Sequence, residues 1–132
     1  MASVALVTHG GAAHIPQYLN AIRDLDSVSE ACVVDEDGAV FDQARTVVGD
    51  KLTETYQSLN EMLQAQHPAI TIVTASGSKA PSLIRPVLEA GIHVLAEKPA
   101  CVDPDDFADL SDLADRNQVH LTRNKARKRH RN

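Results

Sequence analysis

Short apolar runs alternate along this chain with segments whose apolar residues recur at helical spacing. The runs have the length and the β-branched content of buried strands, and they lie at residues 4–7, 31–34, 69–73, 92–96 and 119–121. Helical spacing follows each of the first four runs. Strands that are separated by helices of this length pair in parallel through right-handed crossovers. The pattern therefore predicts an α/β fold in which a doubly wound parallel sheet forms a single domain.

Several residues mark where the predicted helices begin and end. The stretch from Ser58 to Glu61 is a capping box that opens a helix. Gly91 stands where the glycine after a helix end is expected, and Asp103-Pro104 is typical of an N-cap followed by a first-turn proline. We expect the helix at about 79–90 to be kinked or to start late, because Pro86 would remove a hydrogen bond from its interior.

The first strand runs into a turn of small residues that suits a nucleotide. The candidate binding residues there are Thr8, Gly10, Gly11, Ala12 and Ala13. Missing side chains let backbone N–H groups approach a pyrophosphate, and the following helix N-terminus favours its negative charge. Gly10 holds the close-approach position, whereas Thr8 stands where the tight turn usually has glycine. A βα turn in which the glycines only reverse the chain is the alternative.

The second strand ends on an acidic residue, Asp35. An acid in this place, about 20 residues beyond a glycine turn, accepts hydrogen bonds from an adenosine ribose and repels a 2′-phosphate. The position of Asp35 therefore favours NAD over NADP as the cofactor. Because Glu36, Asp37 and Gly38 follow directly, an acidic turn without a ligand is the alternative interpretation.

The later strands place further candidates at the same edge of the sheet, where open α/β sheets bind ligands. Thr74 and Ala75 follow the run at 69–73, although a turn of small residues explains them equally well. Glu97-Lys98-Pro99 follows the run at 92–96. A lysine at a strand edge can hold a substrate oxygen and support proton movement during hydride transfer. Glu97 can orient that lysine or face the cofactor, and a surface salt pair is the alternative.

The stretch Ala90–Pro99, together with the small-residue turn and Asp35, resembles the N-terminal domain of the Gfo/Idh/MocA family of NAD(P)-dependent oxidoreductases. The resemblance implies a Rossmann-like, NAD(P)-binding domain over residues 1–122. It also implies hydride transfer between a nicotinamide and a sugar- or polyol-like substrate, with Lys98 as the catalytic residue beside both.

The chain departs from that family pattern at three positions. Thr8 replaces the first glycine of the turn, Ala75 replaces a proline, and Lys79 replaces a histidine. These departures favour a competing hypothesis, in which a non-catalytic dinucleotide-binding or regulatory module has kept the fold and lost the chemistry.

A length of 132 residues allows one domain with a core, but not a second, substrate-binding domain. Because the resemblance implies such a domain, we expect it to be absent here and the chain alone to be inactive. A small-molecule substrate is then expected only where another domain is added. The sequence leaves homo-oligomerisation open.

Charge divides the chain into an acidic body and a basic end. Six of the thirteen Lys and Arg residues lie at 123–131, whereas all eighteen acids precede Asn117. We interpret residues 123–132 as a solvated, mobile tail, since it lacks interleaved aromatic residues. The net charge of −5 also disfavours a nucleic-acid partner.

Other sequence features narrow the environment and the cofactors. The chain lacks an apolar run of membrane-spanning length and a signal peptide, so we expect a cytoplasmic protein without membrane contact. Cys32 and Cys101 lack metal or redox spacing and are expected to stay reduced. His9, His14 and His93 lack the spacing of zinc ligands, so no metal site is predicted.

Overall fold

The computed structural model describes residues 2–9, 14–76, 78–97 and 104–124. The strands are β1 (Ala2–Thr8), β2 (Val28–Asp35), β3 (Leu52–Tyr56), β4 (Ile70–Thr74), β5 (His93–Glu97) and β6 (Leu121–Asn124). The helices are α1 (Ile15–Asp24), α2 (Phe41–Val48), α3 (Leu59–Ala65), α4 (Ala80–Glu89) and α5 (Pro104–Arg116), with a short 3₁₀ helix at Gly49–Lys51.

These strands form one parallel sheet in the order β3-β2-β1-β4-β5-β6. The order reverses beside β1, because the chain builds outward to β3 and then returns to place β4 on the other side of β1. Open sheets of this kind bind ligands at the carboxyl ends of the strands beside the reversal. The predicted α/β fold with a doubly wound, Rossmann-like parallel sheet is confirmed.

Two strands differ from the sequence-based expectation. The edge strand β3 was not predicted, since its residues Leu-Thr-Glu-Thr-Tyr are half-buried or exposed and lack an apolar run. β6 covers residues 121–124 rather than 119–121, because Gln118 adopts a positive φ of 58° in the turn that follows α5. Short edge strands bury little apolar surface, so hydrophobic runs mark them poorly.

Side chains alternate along each strand and supply two apolar layers, one on each face of the sheet. In β1, Val4 and Leu6 pack with α1 and α2, whereas Ala5 and Val7 pack with α3, α4 and α5. This alternation of period two fixes the register, because a shift by one residue would exchange the two faces. It also decides toward which layer each polar residue at a strand end points.

The ends of α3 and α4 follow the predicted signals. Ser58 Oγ accepts the Glu61 N–H at 3.2 Å, which confirms Ser58 as the N-cap of α3. Gly91, with φ +78°, donates its N–H to Leu88 O at 2.9 Å, and Ile92 donates to Val87 O at 3.2 Å. This is the Schellman arrangement that glycine at the C′ position allows.

Proline at position 86 lies inside helix α4 and does not end it. α4 begins at Ala80 with Pro81 in its first turn and continues to Glu89. Pro86 O still accepts the Ala90 N–H at 3.0 Å. α4 therefore continues to the Gly91 cap, and β5 begins two residues after that glycine.

Lys51 ties the segment before β3 to the end of α1. Its Nζ donates to the carbonyl oxygens of Ile22 at 3.1 Å, Arg23 at 2.9 Å and Leu25 at 2.9 Å. The last carbonyls of a helix have no partner within the helix, and a cation there also interacts favourably with the helix dipole.

We expect Lys51→Met to lower the free energy of unfolding by about 1–2 kcal/mol, because three carbonyl oxygens lose a charged donor while the aliphatic stem is kept. Urea unfolding measures the difference. Arg85→Met removes an exposed cation from α4 and serves as the control, with a change within about 0.5 kcal/mol. Equal losses in both variants would show that the Lys51 contacts add nothing.

Cys32 is a buried free cysteine in β2, as expected for a small apolar side chain. Burial, with smaller contributions from Glu30 and Glu54, raises the pKa of the Cys32 thiol to about 11.

In alkylation of a cysteine, the thiolate is the nucleophile. In a Cys101→Ser variant we therefore expect alkylation of Cys32 to stay slow near neutral pH and to accelerate only as the pH rises toward this pKa. The urea-unfolded variant should react rapidly near pH ~8, and equal rates in both states would contradict the burial of this thiol.

Candidate functional site

Four polar residues form a row across the carboxyl edge of the sheet. Thr8 is paired in register with Asp35 on β2 and with Thr74 on β4. Glu97 ends β5 one position beyond Ala96, which pairs with Val73. All four residues are buried. The sheet therefore brings together described candidates that are far apart in sequence, and we call them the carboxyl-edge row.

The carboxyl-edge row points toward the layer of α1 and α2. Thr8 continues the alternation of Val4 and Leu6, which pack in that layer. Asp35 similarly continues that of Ala31 and Val33. The row thus lies on the side of the sheet from which α1 begins, where a helix N-terminus favours a negatively charged ligand.

Glu97 is held by two side chains from the start of α1. Its side chain is only 4% exposed. Tyr18 donates its hydroxyl to Glu97 Oε1. His14 Nδ1 lies 3.3 Å from Glu97 Oε2, and His14 adopts φ 65° at the N-cap of α1. These contacts connect the beginning of α1 with the end of β5.

Asp35 accepts hydrogen bonds from the turn between β2 and α2. Its carboxylate oxygens accept the N–H of Asp37 at 3.3 Å and the N–H of Val40 at 3.1 Å. Gly38 makes this turn possible with φ +70°, and a Cβ there would meet the Phe41 ring at 3.2 Å. Asp35 itself is fully buried. The predicted contact between Asp35 and a ribose remains a prediction.

The opposite side of the same edge contains a cavity of about 380 Å³. It lies between the ends of β1 and β2 and the helices α3 and α4, and we call it the α3–α4 cavity. Thr8, the last residue of β1, borders this cavity and also belongs to the carboxyl-edge row. The other lining residues are His9, Val34, Glu36, Gln57, Ser58, Leu59, Asn60, Lys79, Ser82, Leu83 and Pro86.

Three charged or titratable side chains meet at this cavity. Glu36 Oε1 lies 3.2 Å from His9 Nε2 and 4.0 Å from Lys79 Nζ. The Glu36 side chain is 64% exposed. Its carboxylate is therefore accessible from solvent, in contrast to that of Asp35.

Of the polar residues that line this cavity, sequence reasoning selected Thr8 as a ligand-binding residue but not Glu36, Lys79 or the others. The alternation of side chains along β2 could have identified Glu36 as a residue of this cavity. Val34 and Glu36 lie on the α3–α4 side of the sheet, whereas Asp35 points to the other side. Gln57, Ser58 and Asn60 follow the edge strand β3, which the sequence analysis did not predict.

Several sequence-based candidates lie outside the described residues. They are Gly10, Gly11, Ala12, Ala13, Lys98, Cys101 and Asp103. Ala75 is described and lies buried directly after β4. Among the described residues, no helix combines the length and apolar content needed to cross a membrane. The same part of the chain contains no group of three or more His, Cys, Asp or Glu side chains arranged to hold a metal ion.

Residues 3–125 match the model of the Gfo/Idh/MocA oxidoreductase family, described as having an NAD-binding Rossmann fold. The chain belongs to this family. The match includes every strand of the sheet except the first residue of β1. No curated protein matches the sequence. This Gfo/Idh/MocA chain is therefore an NAD-binding Rossmann domain of the oxidoreductase type.

Solved structures share the fold of this Gfo/Idh/MocA domain at low sequence identity. A Gfo/Idh/MocA family oxidoreductase from Vibrio cholerae superposes with a TM-score of 0.79 at 18% identity, over 94% of this chain and 38% of that one. The scyllo-inositol dehydrogenase of Lactobacillus casei, crystallised with NAD(H) and scyllo-inositol, superposes with a TM-score of 0.76 at 16% identity, over 93% of this chain and 36% of that one. The WlbA dehydrogenase of Bordetella pertussis, in complex with NADH and UDP-GlcNAcA, superposes with a TM-score of 0.76 at 20% identity, over 92% of this chain and 36% of that one. The chain thus spans less than two fifths of each.

Proposed function

We propose that this chain supplies the NAD-binding part of an oxidoreductase that transfers hydride between nicotinamide and a sugar- or polyol-like substrate. The observation that carries the proposal is the buried Glu97, held by Tyr18 and His14 at the end of β5, directly before Lys98 in the sequence. A fixed carboxylate at a ligand-binding sheet edge beside a lysine is suited to orienting reacting groups.

The α3–α4 cavity fits the adenosine part of a dinucleotide. Its volume of about 380 Å³ falls within the range of about 300–1,000 Å³ for small-molecule pockets. Val34, Leu59 and Leu83 provide apolar walls, while Glu36 and Ser58 provide polar groups. Such a combination suits a flat apolar base joined to a hydroxyl-bearing sugar.

The remaining candidates have distinct roles in this proposal. Residues 8–13, with Thr8, Gly10, Gly11, Ala12 and Ala13, bind the pyrophosphate through backbone N–H groups at the start of α1. Thr74, Ala75 and Glu97 border the nicotinamide side. Asp35 holds the β2–α2 turn at the edge of the adenosine cavity. Of these residues, Thr8, Asp35, Thr74 and Glu97 form the carboxyl-edge row.

The proposed chemistry depends on what the chain's residues do around the cofactor. When bound, the nicotinamide accepts or donates the hydride. Lys98 holds the substrate oxygen and moves its proton, as the family resemblance implies. Tyr18 and His14 fix Glu97, so that the end of β5 keeps one position while the proton moves. The substrate is bound by another domain or partner chain, in line with the share of the solved dehydrogenases that this chain covers.

Calorimetric titration of the chain with NADH tests the cofactor part of the proposal. We expect saturable binding, and a ligand at 100 times its Kd should stabilise the native state by about 2.7 kcal/mol. Thermal unfolding in parallel should show a Tm that rises with NADH concentration. If saturating NADH produced no heat of binding and no shift in Tm, the proposal would be overturned.

A further inference from the structure

We propose that His93 and His120 make the pairing of strands β5 and β6 sensitive to acid. A neutral His93 ring holds the start of β6 on β5, and protonation of that ring releases this end of β6. His93 is the first residue of β5 and His120 directly precedes β6, so both lie at the end of the sheet opposite the carboxyl-edge row. We call them the histidine pair, and this inference is independent of the proposed NAD-binding function.

A hydrogen bond and ring stacking join the histidine pair. The backbone N–H of His120 donates to His93 Nδ1 at 2.9 Å. The two ring centroids lie 5.1 Å apart, and the ring planes differ by 22°. The carbonyl oxygen of His120 also accepts the Val94 N–H at 2.9 Å. Both backbone groups of His120 are therefore bonded to β5, and one of the two bonds depends on an imidazole nitrogen.

The hydrogen bond to His93 requires a neutral ring. A neutral imidazole accepts through one nitrogen and donates through the other, whereas an imidazolium only donates. The observed bond therefore assigns the ring proton of His93 to Nε2, and a second proton on Nδ1 would leave the His120 N–H without its acceptor. Protonation of both rings would also bring two positive charges together in the stack. Histidine is the side chain that changes charge between about pH 5 and 8, so the contact is present at the upper end of this range and is lost as the pH falls.

The strands around the histidine pair carry no charge close to it. Val94 packs with α4 and α5, so His93 points to the opposite face of the sheet. Its partner in β4 is the apolar Ile70. β4 has no charged residue, and Glu97 is at the far end of β5. His93 is half-buried and His120 is exposed, so solvent can supply the proton.

The helices likewise provide no partner for a charge on the histidine pair. Glu89 in α4, with Asp115 and Arg116 in α5, belongs to the helices on the other face of the sheet. At the end of α1, Arg23 and Asp24 pair with each other at 2.7 Å. In the part of the chain that the structure describes, no carboxylate oxygen lies within 4.0 Å of a nitrogen of either ring. A carboxylate partner that could offset the lost hydrogen bond is therefore not present there.

The contact at its start matters for β6 because this strand is short. β6 covers Leu121–Asn124, lies at the edge of the sheet and pairs with β5 alone. At its other end, Asn124 is in register with Glu97 of the carboxyl-edge row. Release at the histidine pair should therefore loosen β6 toward the strand end that contains Glu97.

Amide hydrogen exchange of the whole chain, followed by NMR at about pH 7.5 and about pH 5.5, tests the inference across the range in which histidine changes charge. Exchange rates are divided into those of the unfolded chain at the same pH to give protection factors. We expect the protection of the His120 N–H to fall about 3–10-fold at the lower pH, as for the loss of one hydrogen bond. The Leu6 N–H in the central strand β1 should keep its protection and is the control for destabilisation of the whole chain.

Three variants isolate the role of the His93 ring. His93→Asn brings a side-chain oxygen close to the position of Nδ1 without a titratable group, so the His120 N–H should stay protected at both pH values. His93→Leu removes the acceptor, so protection of this N–H should be low at both. His67→Asn replaces an exposed histidine that follows α3 and should respond to pH as the wild-type chain does.

Long-range proton–nitrogen NMR correlations of the His93 ring add a measurement on the wild-type chain alone. At about pH 7.5 they should show the ring proton on Nε2, and a proton on Nδ1 would overturn the inference. Equal protection of the His120 N–H at both pH values in the wild-type chain would also overturn it, as would a fall in His93→Asn as large as in the wild type. A parallel fall at His120 and Leu6 would assign the pH response to the whole chain and equally contradict the proposed role of the histidine pair.

Discussion

Replacing Asp35 with alanine should lower the free energy of unfolding by about 2–4 kcal/mol, because two backbone N–H groups lose their acceptor at a buried position. These are the N–H groups of Asp37 and Val40, which the carboxylate accepts at 3.3 and 3.1 Å. Asp35→Asn keeps one acceptor oxygen and should cost roughly half as much. Urea unfolding of the chain measures both values.

The neighbouring Asp37 provides the matched control for this prediction. Its side chain is exposed, so Asp37→Ala keeps the N–H donor and should change the stability by less than about 0.5 kcal/mol. If Asp35→Ala were as stable as the wild-type chain but bound NADH weakly, the carboxylate would act on the ribose, as the sequence analysis predicts. A large loss of stability in Asp35→Ala alone would assign this residue to the β2–α2 turn.

Hydrophobic patterning was sufficient to predict the layers of the fold. The runs at 4–7, 31–34, 69–73 and 92–96 lie in buried strands of one sheet, since central parallel strands are covered on both faces and must be apolar throughout. β3 lies at the edge of the sheet with Thr53 and Glu54 exposed, so neither an apolar run nor a clean alternation marks it.

Sequence positions were sufficient to predict that the described candidates share one edge of the sheet, but not to identify their partners. The register aligns Thr8 with Asp35 and Thr74 because each ends its strand. The contact between Tyr18 and Glu97 joins residues 79 positions apart, and it depends on how α1 packs across the sheet. A local pattern contains no information about such a contact, so Tyr18 and His14 were not predicted as partners of Glu97.

We expect Tyr18→Phe to lower the free energy of unfolding by about 1.5–3 kcal/mol, since the buried Glu97 carboxylate would lose a hydroxyl donor and hydrogen bonds to charged groups are the stronger ones. Tyr56→Phe is the matched control. It removes a hydroxyl that accepts a neutral hydrogen bond from Gln66 at 3.0 Å, which is worth about 0.5–1.5 kcal/mol.

A double-mutant cycle with Glu97→Gln decides whether the charge of Glu97 makes the difference. The Glu97→Gln variant has no carboxylate at position 97 that could lose a charged hydrogen bond. In that background Tyr18→Phe should lower the free energy of unfolding by about as little as Tyr56→Phe does. The coupling free energy between positions 18 and 97 should therefore be about 1 kcal/mol or more. Additive effects, or equal losses for the two tyrosine variants, would show that Tyr18 stabilises the chain by packing alone. A coupling of the expected size would mean that Tyr18, at the start of α1, fixes Glu97 through the charge of its carboxylate. The position of α1 would then set that of the strand end before Lys98, where we propose the hydride-transfer chemistry.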